Sequence, residues 1–389
     1  METLDLFKEI AQTNYNRYLE EAKSKGTKII GYFCNIPEEI IMAAGMIPYR
    51  MRAVESTKTT LGDIWYSTIN CSFPRNCLDQ ILEGKFNFLD GLVVMNSCDH
   101  IRRLYDNCKY GDLWPNFLYM LAVPHVVTPE SIRQFKREIN RFRLALEEHF
   151  NVSITQEKIK EAISTCNHTR KLLGELYELR KQDPPPIKGA EILAIMLACT
   201  ALPKEVANAS LETLLSELNG RVVIPKGSPR LMIAAGYLEE IDYMDLIEKD
   251  AVVVADSLCY GVRYLRNLVD ENKDDPIDAL AYRYTSIACP RMIESYDDRI
   301  ETINNDIKEY NADGLIVDNL KFCLHWQVFR FMIENEIEKG ERLSCPLLVL
   351  ERELHTGAQG QVKTRIQAFL EQIHDRKDQK VSTHEAFKY

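Results

Sequence analysis

The sequence predicts an α/β protein made of two doubly wound parallel-sheet domains. Two segments nearly repeat each other: residues 90–98 read Asp-Gly-Leu-Val-Val-Met-Asn-Ser-Cys, and residues 313–323 read Asp-Gly-Leu-Ile-Val-Asp-Asn-Leu-Lys-Phe-Cys. Short, β-branched apolar runs of this kind are typical of buried parallel strands. Predicted strands and helices alternate along both halves, which favours a parallel sheet with helices on both faces. A chain of 389 residues is also too long for one ordinary core.

The first half is predicted to begin with a helix over residues 3–24 and a strand over residues 28–34. Pro37, followed by two acidic residues, is typical of a helix start, and this helix is expected to end at Gly45. The remaining elements alternate in the same way: strands at 47–51, 90–97 and 117–124, a helix through 78–82, and long charged helices over 129–181.

Three consecutive prolines at 184–186 are the clearest interruption in the chain. They cannot continue a helix and favour an extended conformation, so we place a domain crossing there. The first domain, with a helical extension, is expected to span residues 1–182 and the second to span residues 183–389. The strands of the second domain are predicted at 221–225, 251–257, 314–318 and 346–351.

Composition argues against several classes of function. The formal charge of −10 disfavours binding to nucleic acid, which needs concentrated Lys and Arg, and also disfavours an anionic membrane surface. The first residues have neither the basic nor the apolar segment of a signal peptide, so a cytoplasmic location is expected. In that reducing compartment the 11 cysteines are not expected to form a disulfide framework.

Three cysteines are candidate metal ligands because each is predicted to lie where a loop meets a helix. Cys98 and Cys323 follow the two repeated strands, and Cys71 precedes the helix through 78–82. Ligands collect at the carboxyl ends of parallel strands, and the N–H groups at a helix start favour a thiolate. The competing interpretation is that these are small residues that fit tight turns. Zinc sites usually show close Cys-x₂₋₄-Cys pairs, which are absent, whereas widely spaced thiolates also suit iron–sulfur ligation.

Charged and titratable neighbours give weaker signals. His100 and His325 each lie two residues after a candidate ligand, where a histidine can donate to a cluster sulfur, protonate a substrate or simply satisfy a turn. Arg102 and Arg103 are candidates for contact with a phosphate or an acidic partner, with a solvated helix face as the default. The glycine-rich phosphate-binding motifs and the Gly-x-Ser-x-Gly elbow are absent, so ATP is not expected to bind by those devices.

Five segments together resemble the 2-hydroxyacyl-CoA dehydratase and benzoyl-CoA reductase family. They occur in the family's order along nearly the whole chain: residues 31–45, 71–79, 97–107, 321–326 and 360–371. The variant at 97–107, Ser-Cys-Asp-His-Ile-Arg-Arg-Leu-Tyr-Asp-Asn, is more similar to the benzoyl-CoA reductase branch than to the dehydratases. The chain length is similar to that of the smaller of the two cluster-binding subunits, the gamma type.

The resemblance implies a [4Fe-4S] cluster bound by Cys71, Cys98 and Cys323, between two flavodoxin- or Rossmann-like domains that face each other. It also implies a larger homologous subunit, and an ATP-hydrolysing activator that has its own [4Fe-4S] cluster and takes electrons from ferredoxin. In the reductase branch, such a complex dearomatises benzoyl-CoA to a cyclic dienoyl-CoA during anaerobic degradation of aromatic compounds.

Other functions within the same family remain possible interpretations of the sequence. The chain could be part of a 2-hydroxyacyl-CoA dehydratase, or it could only relay electrons to a partner that binds the substrate. Some relatives have a double-cubane [8Fe-9S] cluster, which needs more thiolates. The adjacent Cys-Cys pair of those relatives is missing here, but Cys289 occupies the place in the second half that corresponds to Cys71.

Overall fold

The computed structural model describes residues 1–114, 117–289, 291–292, 296–355 and 359–386. It contains two four-stranded sheets, one in each half of the chain, and every strand pair in the described ranges is parallel. The strands of the first sheet are β1 (Ile29–Tyr32), β2 (Ile47–Arg50), β3 (Gly91–Met95) and β4 (Phe117–Leu121). Those of the second are β5 (Arg230–Ala235), β6 (Val252–Ser257), β7 (Gly314–Leu320) and β8 (Leu347–Arg352). The orders β2-β1-β3-β4 and β6-β5-β7-β8 correspond strand for strand, as expected for two domains of the same topology.

Helices connect the strands and cover both sheets. In the first half they are α1 (Glu2–Ala11), α2 (Arg17–Ser24), α3 (Glu38–Ala43), α4 (Gly62–Trp65), α5 (Ser72–Leu82), α6 (Asp99–Tyr110), α7 (Pro129–Phe150) and α8 (Gln156–Leu179). In the second half they are α9 (Gly189–Cys199), α10 (Lys204–Glu217), α11 (Ile241–Ile247), α12 (Val262–Leu265), α13 (Pro276–Thr285), α14 (Tyr296–Glu309), α15 (Leu324–Lys339) and α16 (Gln359–Ala386). No helix within the described ranges is both long enough and apolar enough to cross a membrane.

The repeated Asp-Gly pair has the same structural role in both sheets. The carboxylate of Asp90 accepts a hydrogen bond from the backbone N–H of Ile29, and that of Asp313 accepts one from Arg230, both at 2.9 Å. Each bond ties the start of one central strand to the start of the strand beside it. The glycine that follows is needed for space, because a Cβ would come within 3.0 Å of Phe117 at Gly91 and within 2.7 Å of Phe369 at Gly314.

Two predicted elements differ in the structure. The strand expected at 221–225 is irregular; β5 runs over Arg230–Ala235 instead, where all six residues are buried. The segment forms a strand because it is buried between β6 and β7, although it contains few β-branched residues. The helix expected over 3–24 is divided into α1 and α2, because the Asn16 side chain caps the second helix by accepting from the N–H groups of Tyr18 and Leu19.

A buried ionic network joins the two halves; we call it the carboxylate-paired network. Lys204 of α10 lies 3.1 Å from Glu38 of α3, and Arg170 of α8 lies 2.7 Å from Glu39. The hydroxyl groups of two second-half tyrosines donate to the same carboxylates: Tyr264 to Glu38 and Tyr284 to Glu39. Burial alone would raise the pKa of Glu38, but the charges of Lys204 and Arg170 overcome it and lower that pKa to about 2.

Candidate functional site

The three candidate cysteines occupy equivalent positions in the fold. Cys71 is the residue that caps the start of α5, Cys98 caps α6 and Cys323 caps α15. Cys98 and Cys323 follow the central strands β3 and β7, so they lie at the carboxyl edges of the two sheets. Cys71 reaches the same edge because a helix that leads into a parallel strand begins beside the strand ends. The three segments that carry these cysteines therefore meet where the carboxyl edges of the two sheets face each other.

These cysteines line one cavity of about 290 Å³ between the two halves. Both histidines singled out from the sequence, His100 and His325, line it as well. The other residues around it come from both halves: Phe73, Pro74, Asn96, Ser97, Asp99, Ile101, Arg102, His125, Tyr237 and Leu324. The structure thus brings together all five predicted site residues, which are separated by up to two-thirds of the chain. Their role as ligands or proton donors stays a prediction.

Burial and hydrogen bonds together set the protonation state of the Cys98 and Cys323 thiols. The Cys98 sulfur accepts from the backbone N–H of Ile101 at 3.5 Å, at the start of α6. Burial nevertheless raises the pKa of Cys98 to about 12. A hydrogen bond with the neighbouring Cys71 thiol, together with burial, raises the pKa of Cys323 above its ordinary value. Both groups are therefore neutral thiols at pH 7 in the metal-free chain, and a metal would have to displace their protons.

His100 connects the loops that hold the three cysteines. One ring nitrogen, Nδ1, lies 2.7 Å from the side-chain oxygen of Asn70, the residue before Cys71. The other, Nε2, lies 2.9 Å from the carbonyl oxygen of Phe322, the residue before Cys323. His100 itself is on α6, two residues after Cys98. With both nitrogens engaged in this way, the imidazole is placed to hold the cysteine loops together.

His325 is in a different situation. Burial lowers its pKa, and the nearby His125 lowers it further, so the ring is neutral at pH 7. A neutral imidazole that lines the cavity can donate a hydrogen bond from one nitrogen and accept a proton at the other. His125 had no distinguishing sequence signal; its Nδ1 lies 3.0 Å from the carbonyl oxygen of Arg291.

A second set of thiols lies behind this cavity; we call Cys34, Cys259 and Cys289 the rear thiols. The Cys34 sulfur lies 2.9 Å from the Ser97 hydroxyl and 3.1 Å from the Tyr237 hydroxyl, and both of those residues line the cavity. Burial is the main cause that raises the pKa of Cys34 and, to about 11, that of Cys259; the nearby Cys289 contributes to both rises. Cys34 has a φ of 67°, a left-handed conformation that is uncommon for a residue with a side chain.

The donor set suits a polynuclear group better than a single ion. Among the residues that the structure describes, no three His, Cys, Asp or Glu side chains converge closely enough to hold one metal ion. A structural zinc ion would need four such ligands around one point. In an iron–sulfur cluster each iron takes one thiolate, and N–H groups directed at sulfur stabilise the cluster. The three cysteines around the cavity would provide the thiolates, and the N–H group of Ile101, directed at the Cys98 sulfur, provides one such donor.

Sequence reasoning missed the rear thiol Cys34 and the ring of Tyr237. Cys34 lies within the segment 31–45, so that segment could have supplied it. Tyr237 follows β5, the strand that the sequence did not predict, and its ring stacks on Phe73 with 3.6 Å between centroids. No local pattern indicates this contact, because Phe73 and Tyr237 come from different halves.

A family model and three individual relatives each match most of this chain. The family model described as "2-hydroxyglutaryl-CoA dehydratase, D-component" matches residues 33–373. The chain is 23% identical over 372 residues to the (R)-phenyllactyl-CoA dehydratase beta subunit of Clostridium sporogenes, covering 94% of this chain and 97% of that protein. It is 26% identical to a benzoyl-CoA reductase subunit of Thauera aromatica over 82% of this chain and 84% of that protein. Identity is also 26% to the beta subunit of (R)-2-hydroxyglutaryl-CoA dehydratase from Acidaminococcus fermentans, over 78% of this chain and 82% of that protein.

Proposed function

The chain belongs to the 2-hydroxyglutaryl-CoA dehydratase D-component family, and we propose that it is the iron–sulfur subunit of an ATP-activated acyl-CoA reductase or dehydratase. One observation supports this more than any other: Cys71, Cys98 and Cys323 cap three helices around one cavity at the facing sheet edges. These are the residues on which the family's cluster ligands fall. We assign them as the ligands of a [4Fe-4S] cluster.

Benzoyl-CoA is our first choice of substrate, with a cyclic dienoyl-CoA as the product and ferredoxin as the electron source through an activator. The segment 97–107 favours this branch. Dehydration of a 2-hydroxyacyl-CoA is the alternative, and it has equal support because relatives named as dehydratase subunits match the chain at similar identity. Both reactions use an acyl-CoA, a homologous second subunit and a separate ATP-hydrolysing activator.

When bound, the cluster would supply single electrons at low potential, which side chains cannot do. The residues of this chain have three tasks in that scheme. The three cysteines bind the iron, and His100 holds their loops in place through Asn70 and Phe322. His325, neutral and at the cavity wall, is placed to accept a proton from solvent and then pass it to a substrate acyl group.

Purification of the complex under anaerobic conditions, followed by product analysis, would test this proposal. With reduced ferredoxin and ATP, benzoyl-CoA should gain two hydrogens; in the alternative, a 2-hydroxyacyl-CoA should lose one water. A complex with Cys323→Ala should do neither, whereas one with Cys77→Ala, altered inside α5, should keep its activity. Full turnover by the Cys323→Ala complex would contradict the assignment of the site.

The rear thiols favour a second candidate: a larger, double-cubane [8Fe-9S] cluster. Cys34 contacts Ser97 and Tyr237, which separate it from the main cavity, so the two thiol sets are neighbours. Iron and sulfide analysis separates the candidates, because the smaller cluster gives about four irons per chain and the larger about eight. The larger cluster would also lose iron on Cys289→Ala, and the smaller would not.

A further inference from the structure

Arg50 is a buried guanidinium whose hydrogen bonds are incomplete. It ends β2 and is only 1% exposed. Its Nη1 donates to the carbonyl oxygen of Cys259 at 2.8 Å, but Nε and Nη2 have no hydrogen-bond partner in the described part of the chain. No carboxylate lies within ion-pair distance of it among those residues. A buried charge with two unused donors is costly unless something satisfies it.

Other buried arginines show how unusual this is. Arg170, Arg180 and Arg352 also have one unpartnered nitrogen each, but each pairs with a carboxylate, at 2.7 Å, 2.8 Å and 2.9 Å respectively. Arg52, two residues after Arg50 and equally buried, donates to the carbonyl oxygens of Ile10 and Leu197 and stacks on the Tyr49 ring. Within the described residues, Arg50 is the buried arginine that has two unused nitrogens and no carboxylate.

The surroundings of Arg50 are thiols and aromatic rings. Its guanidinium lies over the Tyr260 ring, 4.5 Å from the centroid. Burial raises the pKa of the Cys34 and Cys259 thiols, and the charge of Arg50 opposes that rise because it lies beside both. Cys34 in turn contacts the cavity-lining Tyr237. The Arg50 side chain therefore lies near the rear thiols Cys34 and Cys259, one layer behind the cavity.

Two further buried arginines stand beside the same thiols. Arg263 donates through Nη2 to the Cys259 sulfur at 3.3 Å. Arg299 donates through Nη1 to the carbonyl oxygen of Cys289 at 3.3 Å, and its Nε is unpartnered. Neither forms an ion pair with a carboxylate in the described ranges. Together with Arg50 they give three positive charges around three thiols; we call these the thiol-side arginines.

We propose that Arg50 is the electrostatic partner of an anionic iron–sulfur group at this site, with Arg263 and Arg299 completing its counter-charge. Iron coordinated by thiolates and sulfide has a net negative charge, and its sulfur atoms accept hydrogen bonds. Arg50 does not line the cavity, so it acts on the group through its positive charge, across the rear thiols. This inference rests on the proposed function and adds a residue that positions and tunes the cluster without ligating it.

Arg50→Met should affect the stability of the metal-free chain and the midpoint potential of the loaded chain in different ways. In the metal-free chain the substitution removes a buried charge that has no partner, so thermal stability should stay the same or rise. In the loaded chain it removes positive charge beside a group that accepts an electron. Reduction then becomes less favourable, and the midpoint potential should shift to a more negative value. A residue with a purely structural role would show neither effect.

The test uses the full chain, loaded anaerobically with iron and sulfide, and three variants. Arg50→Met is compared with Arg50→Lys, which keeps the charge, and with Arg52→Met, a matched buried arginine whose partners are backbone carbonyls. Thermal unfolding of the metal-free proteins is measured first. Potentiometric titration followed by electron paramagnetic resonance then gives the midpoint potentials. We expect a more negative potential for Arg50→Met alone, a value near the wild type for Arg50→Lys, and a lower unfolding temperature only for Arg52→Met.

The outcomes separate this inference from the proposed function. A wild-type chain that retains no iron contradicts the proposed function and the role of Arg50 with it. If the wild type retains iron and Arg50→Met has the wild-type potential, only the inference about Arg50 is overturned. A metal-free Arg50→Met protein that loses as much stability as Arg52→Met would also overturn it, because Arg50 would then be a satisfied structural residue.

Discussion

The carboxylate-paired network and the thiol-side arginines are both buried groups of cations, but within the part of the chain that the structure describes only the first contains its own counter-charge. In the network, Arg170 and Lys204 face Glu38 and Glu39, so two positive charges meet two negative ones. On the thiol side, three guanidinium groups lie beside three thiols, and none of the three pairs with a carboxylate in the described ranges. A protein balances a buried charge or binds something that does. The first group joins the two halves, and we propose that the second group is balanced by an anionic ligand.

The largest expected effect is on the thiol side. Replacing Cys98 by Ala should abolish iron retention, because one of three thiolates is lost from the assigned cluster. Replacing Cys77, which is fully buried in α5, should cost only packing energy of about 1 kcal/mol and leave iron content unchanged. Iron analysis after anaerobic loading measures this. Equal iron in Cys98→Ala and Cys77→Ala would remove Cys98 from the site.

The carboxylate-paired network should respond in the opposite way. Arg170→Met leaves Glu39 buried beside Tyr284 without its cation, so the free energy of unfolding should fall by about 3 to 5 kcal/mol. The same change at Arg50 should cost little in the metal-free chain. Denaturant unfolding of the two variants, both metal-free, makes the comparison. If Arg50→Met is destabilised as much as Arg170→Met, the two groups of cations do not differ.

Acid should weaken the carboxylate-paired network over a defined range of pH. The pKa of Glu38 is lowered in the folded chain to about 2, from 4.5 for the unperturbed group. A lowered pKa stabilises the folded state above the unfolded value, and this contribution is lost as pH falls from about 4.5 toward 2. The shift corresponds to about 3 kcal/mol. Unfolding of Glu38→Gln as a function of pH should lack this slope; a slope as steep as in the wild type would assign it to other carboxylates.

The smallest stability effect is expected on the exposed helix near the cavity. Arg102 pairs with Asp99 and Arg103 with Asp106, and both arginines are solvent-exposed, so reversing their charge should change stability by less than about 0.5 kcal/mol. Electron transfer from the activator should slow if this surface docks an acidic partner. Unchanged transfer rates in the double variant would exclude docking here and leave the cluster assignment intact.

Local signals in the sequence were sufficient to predict much of this molecule. The Asp-Gly strands were readable because their burial and their hydrogen bonds repeat, and the three helix-capping cysteines were readable because each follows a strand or precedes a helix. Seven of the eight described strands lie at or near their predicted positions. β5 was missed because contacts with distant strands, and not its own residue types, make it a strand.

The rear of the site could not be predicted for a related reason. The proposed role of Arg50 depends on its position near Cys34 and Cys259, and Cys259 is more than 200 positions away in the chain. A lone arginine after a strand gives no signal of this kind. The role of His100 as a link between Asn70 and Phe322 likewise depends on three loops meeting in space.

Anomalous diffraction at the iron edge, from crystals of the anaerobically loaded chain, tests the central claim most directly. Our account predicts iron peaks in the cavity, within bonding distance of the sulfur atoms of Cys71, Cys98 and Cys323. Iron bound elsewhere, or a loaded chain whose cavity contains no iron peak, would contradict it.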